Sequence, residues 1–283
     1  MTSPDANSSP LVIYHGHCLD GACAAWVASH ALLDKGAPGV QLHSATYGEP
    51  PPDVTGRDVT IVDFSYKRDV LIQMASVAKS LRVLDHHKTA QEDLVGLPFC
   101  TFDMNRSGAG LAWDELVGGP RPWLVDYIED RDLWRFKLPD SEVVNSYIQI
   151  AGYNLDAMAQ VALDGLPNAL AKGKVAMAVR RSYIDSVKDN TILAKLAPDL
   201  PLVPSVNVPF WCVSEVVGEL CEGHPFAFGW HISNTGRAVY SLRSRGDFDV
   251  SSLAKRWGGG GHKNSAGFNA PVPVHFSVDS SPT

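Results

Sequence analysis

The N-terminal part of the chain alternates short apolar runs with longer segments of helical spacing. The apolar runs are LVIYH from residue 11, VTIVDF from residue 59 and LRVLDHH from residue 81. Helices are predicted over about residues 21–33 and 67–78, and irregular chain after the third run. Strands separated by single helices are typical of βαβ units, and runs that are apolar throughout indicate a sheet covered on both faces. This part is therefore predicted to be an α/β domain with a parallel sheet.

The pattern changes in the second half of the chain. Residues 140–195 have helical spacing, Pro198, Pro201 and Pro204 then interrupt it, and the remainder is rich in strand-forming residues. We predict an N-terminal domain over residues 10–165, a helical connection over 166–204 and a smaller α/β domain over 205–272.

Polar side chains cluster where the predicted strands end. The acids and histidines concerned, with others nearby in the chain, are His15, His17, Asp20, Asp63, Asp85, His86, His87, Asp130 and Asp132. In open parallel sheets the ligand crevice lies outside the carboxyl ends of the strands. A mixed carboxylate and imidazole set suits Mn²⁺ and, less selectively, Mg²⁺, Fe²⁺, Co²⁺ or Zn²⁺. Two such ions could polarise a phosphoryl group and activate water, which predicts hydrolysis of phosphoester or phosphoanhydride bonds.

A second motif, GGGGH, covers Gly258 to His262. Consecutive glycines allow the backbone to approach a ligand closely, and a following helix would add the positive end of its dipole, so the motif favours phosphate binding over a flexible linker. Arg243 and Arg245, at the end of a predicted strand, could pair with phosphate or simply be solvated.

Composition narrows the classes of partner. The chain has 283 residues, of which 45% are hydrophobic, and a formal net charge of -7. This charge argues against a protein that binds long nucleic acid through a basic surface. The five cysteines form no CxxC pair, and neither a signal peptide nor an apolar run of membrane-spanning length is present, which predicts a reduced, soluble, cytoplasmic protein without a membrane partner. The oligomeric state is not fixed by the sequence, and a homodimer is compatible with it.

Several motifs in order resemble a known family. LDHHKT resembles the defining motif of the DHH phosphoesterase superfamily, and SLRS with DVSSLAKRWGGGGHKNSAGF resembles its accessory DHHA1 domain. HGHCLDG, IVDFS and YIEDRDLW complete a set that covers about residues 11–270. The resemblance implies a parallel-sheet DHH domain that holds one or two Mn²⁺ ions, with Mg²⁺ or Co²⁺ as alternatives. It also implies a smaller α/β DHHA1 domain that grips the substrate, with the active site in the cleft between the two domains.

The resemblance also implies roles for single residues. The metal ligands would be His15 or His17, Asp20, Asp63 as the bridging carboxylate, His86 and Asp130. His87 would meet the substrate phosphate and donate a proton, and Asp85 would orient a neighbouring imidazole. Asp63 would be catalytic together with these two residues. The substrate-holding set would be Arg243, Ser244, Gly259, Gly260, Gly261 and His262. Many members of the family carry two aspartates in the first motif, where this chain has Cys18 and Asp20, so that the number of metal ions stays open between one and two.

The predicted function is hydrolysis of a small nucleotide by metal-activated water. Candidate substrates are short single-stranded oligonucleotides, linear or cyclic dinucleotides and 3',5'-bisphosphonucleosides, but not long duplexes. One alternative is a pyrophosphatase or exopolyphosphatase, and another is a catalytically weak nucleotide-binding sensor. A base-binding wall would favour the nucleotide, and the second domain offers aromatic candidates that are more often core: Trp211, Phe226, Phe228, Trp230 and His231.

Overall fold

The computed structural model describes residues 9–271 and 277–278. It contains two compact units, Met1–Met177 and Ala178–Thr283. Val272, the predicted end of the second domain, lies outside the described residues. Within the described part of the chain, no helix is long and apolar enough to cross a membrane.

The N-terminal unit is an α/β domain. Its elements are β1 (Leu11–His15), α1 (Leu19–Asp34), β2 (Gln41–Ala45), β3 (Asp58–Val62), α2 (Arg68–Val77), β4 (Ser80–Asp85), α3 (Lys88–Leu94), β5 (Cys100–Phe102), α4 (Gly108–Leu116), α5 (Trp123–Asp132) and α6 (Ser141–Ala151). Among the described residues, five strands form a parallel sheet in the order β2-β1-β3-β4-β5. The predicted parallel sheet is confirmed. The segment after β4 was predicted to be irregular and instead forms α3 and β5.

Helices cover both faces of this sheet. Along β1, Leu11 and Ile13 pack in one cluster with Leu71 of α2, whereas Val12 and Tyr14 pack in another cluster that includes much of α1. Successive strand residues point to opposite faces, so both faces must be buried to accommodate an apolar run of this kind. The sheet is therefore a rigid base for the polar residues that follow each strand.

The strand register brings three polar strand ends together. Tyr14 of β1 pairs with Val62 of β3, and Val62 pairs with Leu84 of β4, so that the next residues, His15, Asp63 and Asp85, emerge at the same edge. The chain leaves β1 for β2 on one side and returns to β3 on the other. The carboxyl ends of β1 and β3 thus flank a topological switch point, where ligands bind in this class of sheet.

The remaining elements begin with a long helix that contains the boundary between the units. They are α7 (Leu155–Lys188), β6 (Ile192–Lys195), β7 (Val203–Asn207), a 3-10 helix (Phe210–Cys212), α8 (Val213–Leu220), β8 (Ala227–Ile232), β9 (Ala238–Arg243), α9 (Val250–Lys255), β10 (Gly260–His262), β11 (Ser265–Ala270) and β12 (Ser277–Val278). Helix α7 is kinked at Gly165, where φ is 77°. Within the described residues the second sheet has the order β10-β11-β9-β8-β7-β6-β12.

The predicted helical connection over residues 166–204 extends only to Lys188. Residues after it form β6 and the start of β7, which pair in antiparallel fashion. The reason is a local change of period, because Ala194 and Leu196 are buried at alternate positions, as in a strand. The predicted position of the second domain, residues 205–272, thus omits strand residues that belong to its sheet.

Candidate metal centre

Carboxylates and imidazoles from β1, α1, α5 and the chain directly after β3 and β4 converge at the carboxyl edge of the sheet in the N-terminal unit. Among the described residues, two groups of side chains that lie wholly within this unit each bring their ligand atoms within 4.8 Å of one another. They are His15, Asp63 and His87 in one group and Asp20, His86 and Asp132 in the other. The prediction that strand ends deliver acids and histidines to one edge agrees with this placement.

Asp63 lies between the two groups. One carboxylate oxygen is 3.4 Å from Nδ1 of His15, and the other is 3.1 Å from Nε2 of His86. Its backbone has a φ of 53°, in the left-handed region that non-glycine residues seldom adopt, and its N–H donates to the carbonyl oxygen of Leu84. The side chain is 1% exposed. Backbone strain of this kind recurs at functional sites, and here it accompanies a carboxylate that contacts members of both groups.

Asp20 is held by the start of another helix. It lies in the first turn of α1, and its carboxylate accepts hydrogen bonds from the backbone N–H groups of Gly108 and Ala109 at the start of α4. Ser107 caps the same helix by accepting from the N–H of Gly110. The positive end of the α4 dipole thus stabilises a buried carboxylate whose oxygen is also 3.5 Å from Nε2 of His86.

Asp85 organises the two histidines that follow it. One of its oxygens accepts from the backbone N–H groups of His86 and His87, and lies 2.7 Å from Nδ1 of His87. Since a carboxylate only accepts, Nδ1 of His87 carries the proton, and the ring directs Nε2 away from Asp85. Asp85 therefore has the contact expected of a residue that orients an imidazole.

The proximity of these groups shifts their pKa values in opposite directions. Burial, followed by the charges of Asp63 and Asp132, raises the pKa of Asp20 well above its ordinary value. Burial also opposes ionisation of Asp63, but the neighbouring imidazoles of His15 and His86 outweigh it and hold the pKa of Asp63 well below its usual range. His86 is buried too, which lowers its pKa, yet the surrounding carboxylates give a net rise. The centre thus gathers more negative charge than its own imidazoles neutralise.

His87 and Asp85 form a second coupled pair. Burial lowers the pKa of His87, but the charge of Asp85 and the hydrogen bond to it outweigh burial, so that the pKa of His87 is raised. Burial likewise opposes the ionised form of Asp85, whereas His87 lowers its pKa overall. The pair therefore favours a protonated imidazole beside an ionised carboxylate.

Asp132 occupies the place predicted for Asp130. Oδ2 of Asp132 is 3.6 Å from Nε2 of His86. The carboxylate of Asp130 instead accepts from the backbone N–H groups of Lys137 and Leu138, at 2.9 and 3.2 Å, and so ties down the loop after α5. Residues two apart on a helix point in nearly opposite directions, so only one of these acids can face the centre. The sequence contained both, but not the orientation of α5 that distinguishes them.

Of the two histidines in the first motif, the structure places His15 at the candidate metal centre. His17 is exposed in the turn before α1, with a φ of 56°, and belongs to neither group of converging side chains. Cys18 lies at the N-terminal boundary of α1. Burial of its thiol, followed by the charges of Asp63, Asp132 and Asp20, raises the pKa of Cys18 well above its ordinary value. The Cys18 thiol is therefore protonated at neutral pH.

The residues predicted to hold substrate all lie in the C-terminal unit, where several have structural contacts. Arg243, at the end of β9, donates to the hydroxyl oxygen of Ser214 and to the carbonyl oxygen of Leu242. The hydroxyl of Ser244 donates to the carbonyl oxygen of Phe248, and Asn264 donates to the Ser244 oxygen. Ser244 is 6% exposed, so its contacts indicate support for the β9–β11 region. The substrate role of this set stays a prediction.

The glycine run has local structural uses. Gly258 has a φ of 76° and, with Gly259, donates back to carbonyl oxygens of α9, ending that helix. A Cβ at Gly259 would lie 2.1 Å from the carbonyl oxygen of Gly267. The helix expected after GGGGH is absent from the described residues, where β10 and β11 form a hairpin that pairs Gly260 with Gly267 and His262 with Ser265. The prediction of a helix dipole at this motif was wrong.

Two of the aromatic residues considered for a base-binding wall are core. Phe226 and Phe228 are 0% exposed and pack within the second sheet's main cluster. Trp230 and Trp211 are partly buried, and Trp211 lies under the guanidinium of Arg180 at 5.1 Å. The C-terminal unit thus does not present the five residues as one exposed wall.

The donor set fits a divalent cation. Oδ2 of Asp63 and Oδ2 of Asp132 are buried and accept no hydrogen bond from the described residues. Buried carboxylate oxygens are costly without a partner. Three carboxylates and two imidazoles within a few ångströms supply the oxygen and nitrogen ligands that first-row divalent metals prefer, and a cation would offset the negative charge.

No family model matches the chain. A curated relative, "uncharacterized protein R106" of Acanthamoeba polyphaga mimivirus, is 29% identical over 288 residues, covering 91% of this chain. The chain spans 66% of that relative's length.

Solved structures resemble this chain over nearly its whole length. The DHH domain of a protein from a family of ribosomal proteins matches with a TM-score of 0.56 at 12% identity, covering 96% of this chain and 83% of that one. The chain has the fold of DHH-domain proteins. RecJ of Thermus thermophilus, crystallised with Mn²⁺, matches with a TM-score of 0.55 at 15% identity, over 93% of this chain and 50% of that one. An exopolyphosphatase-related protein of Bacteroides fragilis has a TM-score of 0.51 at 13% identity, over 93% and 86%. The DHH resemblance drawn from the sequence is confirmed in the fold.

Proposed function

We propose that this protein is a metal-dependent phosphoesterase that hydrolyses small nucleotides, with Mn²⁺ as the preferred cofactor. The observation that carries the proposal is the convergence of His15, Asp20, Asp63, His86 and Asp132 at the switch point of a DHH-type sheet. One or two divalent ions held there would supply Lewis-acid activation of the phosphoryl group and of the attacking water. The DHH-fold neighbour RecJ, crystallised with Mn²⁺, supports the choice of metal.

The chain's own residues divide the remaining tasks. Asp63, in contact with both histidine-containing groups, is assigned the bridging position. Asp85 fixes the tautomer and the orientation of His87. Nε2 of His87, which is directed away from Asp85, is then suited to donate a proton to the leaving oxygen.

The size class of the substrate follows from charge. A formal net charge of -7 does not favour a groove for long polyanionic strands, whereas a local metal centre attracts one or a few phosphates. We therefore favour short oligonucleotides, linear or cyclic dinucleotides, or 3',5'-bisphosphonucleosides.

An aromatic pair in which one ring is exposed supports a nucleotide over an inorganic phosphate. Trp134 is 46% exposed, and its ring lies edge-on to Phe136 with 5.0 Å between ring centroids. Both residues have positive φ, at 54° and 47°. Trp134 follows Asp132 by two residues, which span at most about 7 Å. An exposed ring carried this close in the chain to a proposed metal ligand is suited to stack against a base.

The proposal is tested by hydrolysis of a matched panel with Mn²⁺ and with EDTA. The panel contains di- and pentaribonucleotides, a cyclic dinucleotide, adenosine 3',5'-bisphosphate and pyrophosphate. We expect Mn²⁺-dependent release of nucleotides or phosphate from at least one nucleotide, and none with EDTA. Cleavage of pyrophosphate alone would replace the proposal by a pyrophosphatase. Binding without turnover of any substrate would replace it by a nucleotide sensor.

Trp134→Ala is expected to raise KM for the best nucleotide by about tenfold, because a lost base stack costs on the order of 1–3 kcal/mol. The inhibition constant of inorganic pyrophosphate, which has no base, should not change. Trp134→Phe retains an aromatic face and should recover most of the affinity. Equal weakening of nucleotide and pyrophosphate would show that the substitution disturbs the metal centre instead.

A further inference from the structure

Tyr47 lies beside two histidines of the candidate metal centre, on a turn that the sequence analysis did not single out. It follows β2, between Thr46 and Gly48, and the N–H of Glu49 donates to the carbonyl oxygen of Thr46 at 3.1 Å. Gly48 has a φ of 94°. This is the geometry of a type II turn, in which the third position favours glycine. The turn thus fixes Tyr47 at the carboxyl edge of the sheet.

The ring of Tyr47 contacts both histidines of one ligand group. Ring centroids are 5.3 Å apart for Tyr47 and His15 and 6.2 Å apart for Tyr47 and His87, both in edge-on arrangements. On its other side the ring lies 4.6 Å from that of Phe64. The Tyr47 ring is therefore held beside the ligand histidines at the edge of the centre.

Tyr47 is nevertheless not a core residue. It is 44% exposed, in contrast to Tyr66 of the same aromatic cluster, which is 7% exposed. The ring of Tyr66 contacts Phe64 at 5.0 Å. Burial, followed by the charge of Glu49, raises the pKa of Tyr66 to about 12. A partly open ring against the ligand histidines is accessible to a molecule that enters the centre, and Tyr66 offers the natural comparison.

The charges around Tyr47 limit what its hydroxyl can do. A phenol is protonated at neutral pH and acts as a hydrogen-bond donor, and it is a poor metal ligand in that state. The centre already contains acceptors in excess, while the described residues that face it from the strand ends are acids and histidines. A phosphoryl group, with its oxygens, requires donors. Tyr47 is positioned to supply one.

We propose that Tyr47 is a catalytic residue whose hydroxyl donates a hydrogen bond to a non-bridging oxygen of the substrate's phosphoryl group. The inference rests on the proposed function for its substrate, and on the contacts of Tyr47 with His15 and His87 for its location. The bond strengthens as negative charge accumulates on the phosphoryl oxygens in the transition state. Its loss should therefore lower kcat more than it raises KM.

The test compares Tyr47→Phe with Tyr66→Phe in the Mn²⁺-loaded full-length protein. Each variant removes one hydroxyl and keeps its ring, so packing is retained. Tyr47→Phe should lower kcat on the order of a hundredfold, as for other single donors to a developing oxyanion. KM should rise by no more than about tenfold, and the dissociation constant of Mn²⁺, measured by calorimetry, should stay close to that of the wild type. Tyr66→Phe should leave all three quantities unchanged.

Two outcomes would overturn the inference. One is an unchanged kcat in Tyr47→Phe. The other is a loss of activity that is matched by weaker Mn²⁺ binding, which would make Tyr47 a support of the metal ligands. If the wild type hydrolyses nothing, the proposed function fails while the contact remains testable by titration with adenosine 5'-monophosphate. Tyr47→Phe should then weaken its binding about tenfold, as expected for a hydrogen bond to a charged group, and equal affinity would reject the contact.

Discussion

Asp63→Asn is expected to lower the turnover of the Mn²⁺-loaded protein by at least about a thousandfold. Asp63 contacts His15 through one oxygen and His86 through the other, so that its negative charge is close to both ligand groups. Asparagine tolerates the left-handed backbone required at this position, where φ is 53°. The substitution therefore removes charge and one metal-binding oxygen without adding backbone strain.

Thermal unfolding with and without Mn²⁺ provides a readout that is independent of activity. A ligand that binds only the native state stabilises it by mass action, so the wild-type protein should show a rise in Tm with Mn²⁺ concentration. Asp63→Asn should lose most of this rise while its Tm without metal remains close to that of the wild type. Near wild-type turnover in the variant would refute the bridging position of Asp63.

Two further carboxylates serve as a matched pair in the same measurement. Asp132→Asn should also lose the Mn²⁺-dependent rise in Tm, because Oδ2 of Asp132 faces His86. Asp130→Asn should retain the rise but lower the Tm itself, because Asp130 accepts from the backbone of Lys137 and Leu138. The reverse result would restore Asp130 as the ligand.

The part of the site that lies on strand ends could be predicted from the sequence. His15, Asp63 and Asp85 directly follow apolar runs, and parallel strands covered on both faces bring such ends to one edge whatever the details of the loops. The register of β1, β3 and β4 then determines that these three residues are neighbours at that edge. The hydrophobic pattern of the strands was sufficient here, because it indicates both which side chains are buried and at which edge of the sheet the residues after each strand emerge.

The contributions of helices and turns required the packed structure. Whether Asp130 or Asp132 faces His86 depends on the rotation of α5, which its sequence leaves open because acids occur on both sides. Tyr47 escaped notice because β2, with alternating exposed positions at the edge of the sheet, lacks the apolar run that identified the other strands. With β2 recognised, the same reasoning about strand ends would have pointed to Tyr47.

The glycine run shows a different limit. Glycine is favoured for close approach of a ligand, for left-handed backbone and for close approach of another strand. At Gly258 the structure requires left-handed backbone, and at Gly259 it requires room for the carbonyl oxygen of Gly267. The sequence alone cannot distinguish these three roles of glycine. Each depends on the backbone conformation of the glycine in the folded protein or on the atoms that pack against it.

Gly108→Ala is expected to disrupt the centre without altering any candidate ligand. A Cβ at this position would lie 2.3 Å from Cβ and 2.8 Å from Cα of Asp63. These atoms belong to the backbone and the root of a buried side chain, so α4 or β3 must shift. The N–H of Gly108 also donates to the carboxylate of Asp20, and the same shift would displace that acid.

The effect should be visible in both stability and chemistry. Overpacking of this kind costs about 1–3 kcal/mol in the free energy of unfolding, and a displacement of about 1 Å can lower a rate about a hundredfold. We therefore expect Gly108→Ala to lower the Tm without metal, weaken Mn²⁺ binding and reduce kcat on the order of a hundredfold. Gly39→Ala is the control, because a Cβ at Gly39 meets only the hydroxyl oxygen of Ser9, at 3.6 Å.

The two readouts also separate a ligand effect from a packing effect. Asp63→Asn should weaken Mn²⁺ binding while the Tm of the metal-free protein is retained. Gly108→Ala should lower both the affinity for Mn²⁺ and the Tm of the metal-free protein. A Gly108→Ala variant with wild-type Tm and kcat would mean that α4 does not press against Asp63 in solution. The amides at the start of α4 would then no longer account for how the buried carboxylate of Asp20 is held in place beside His86.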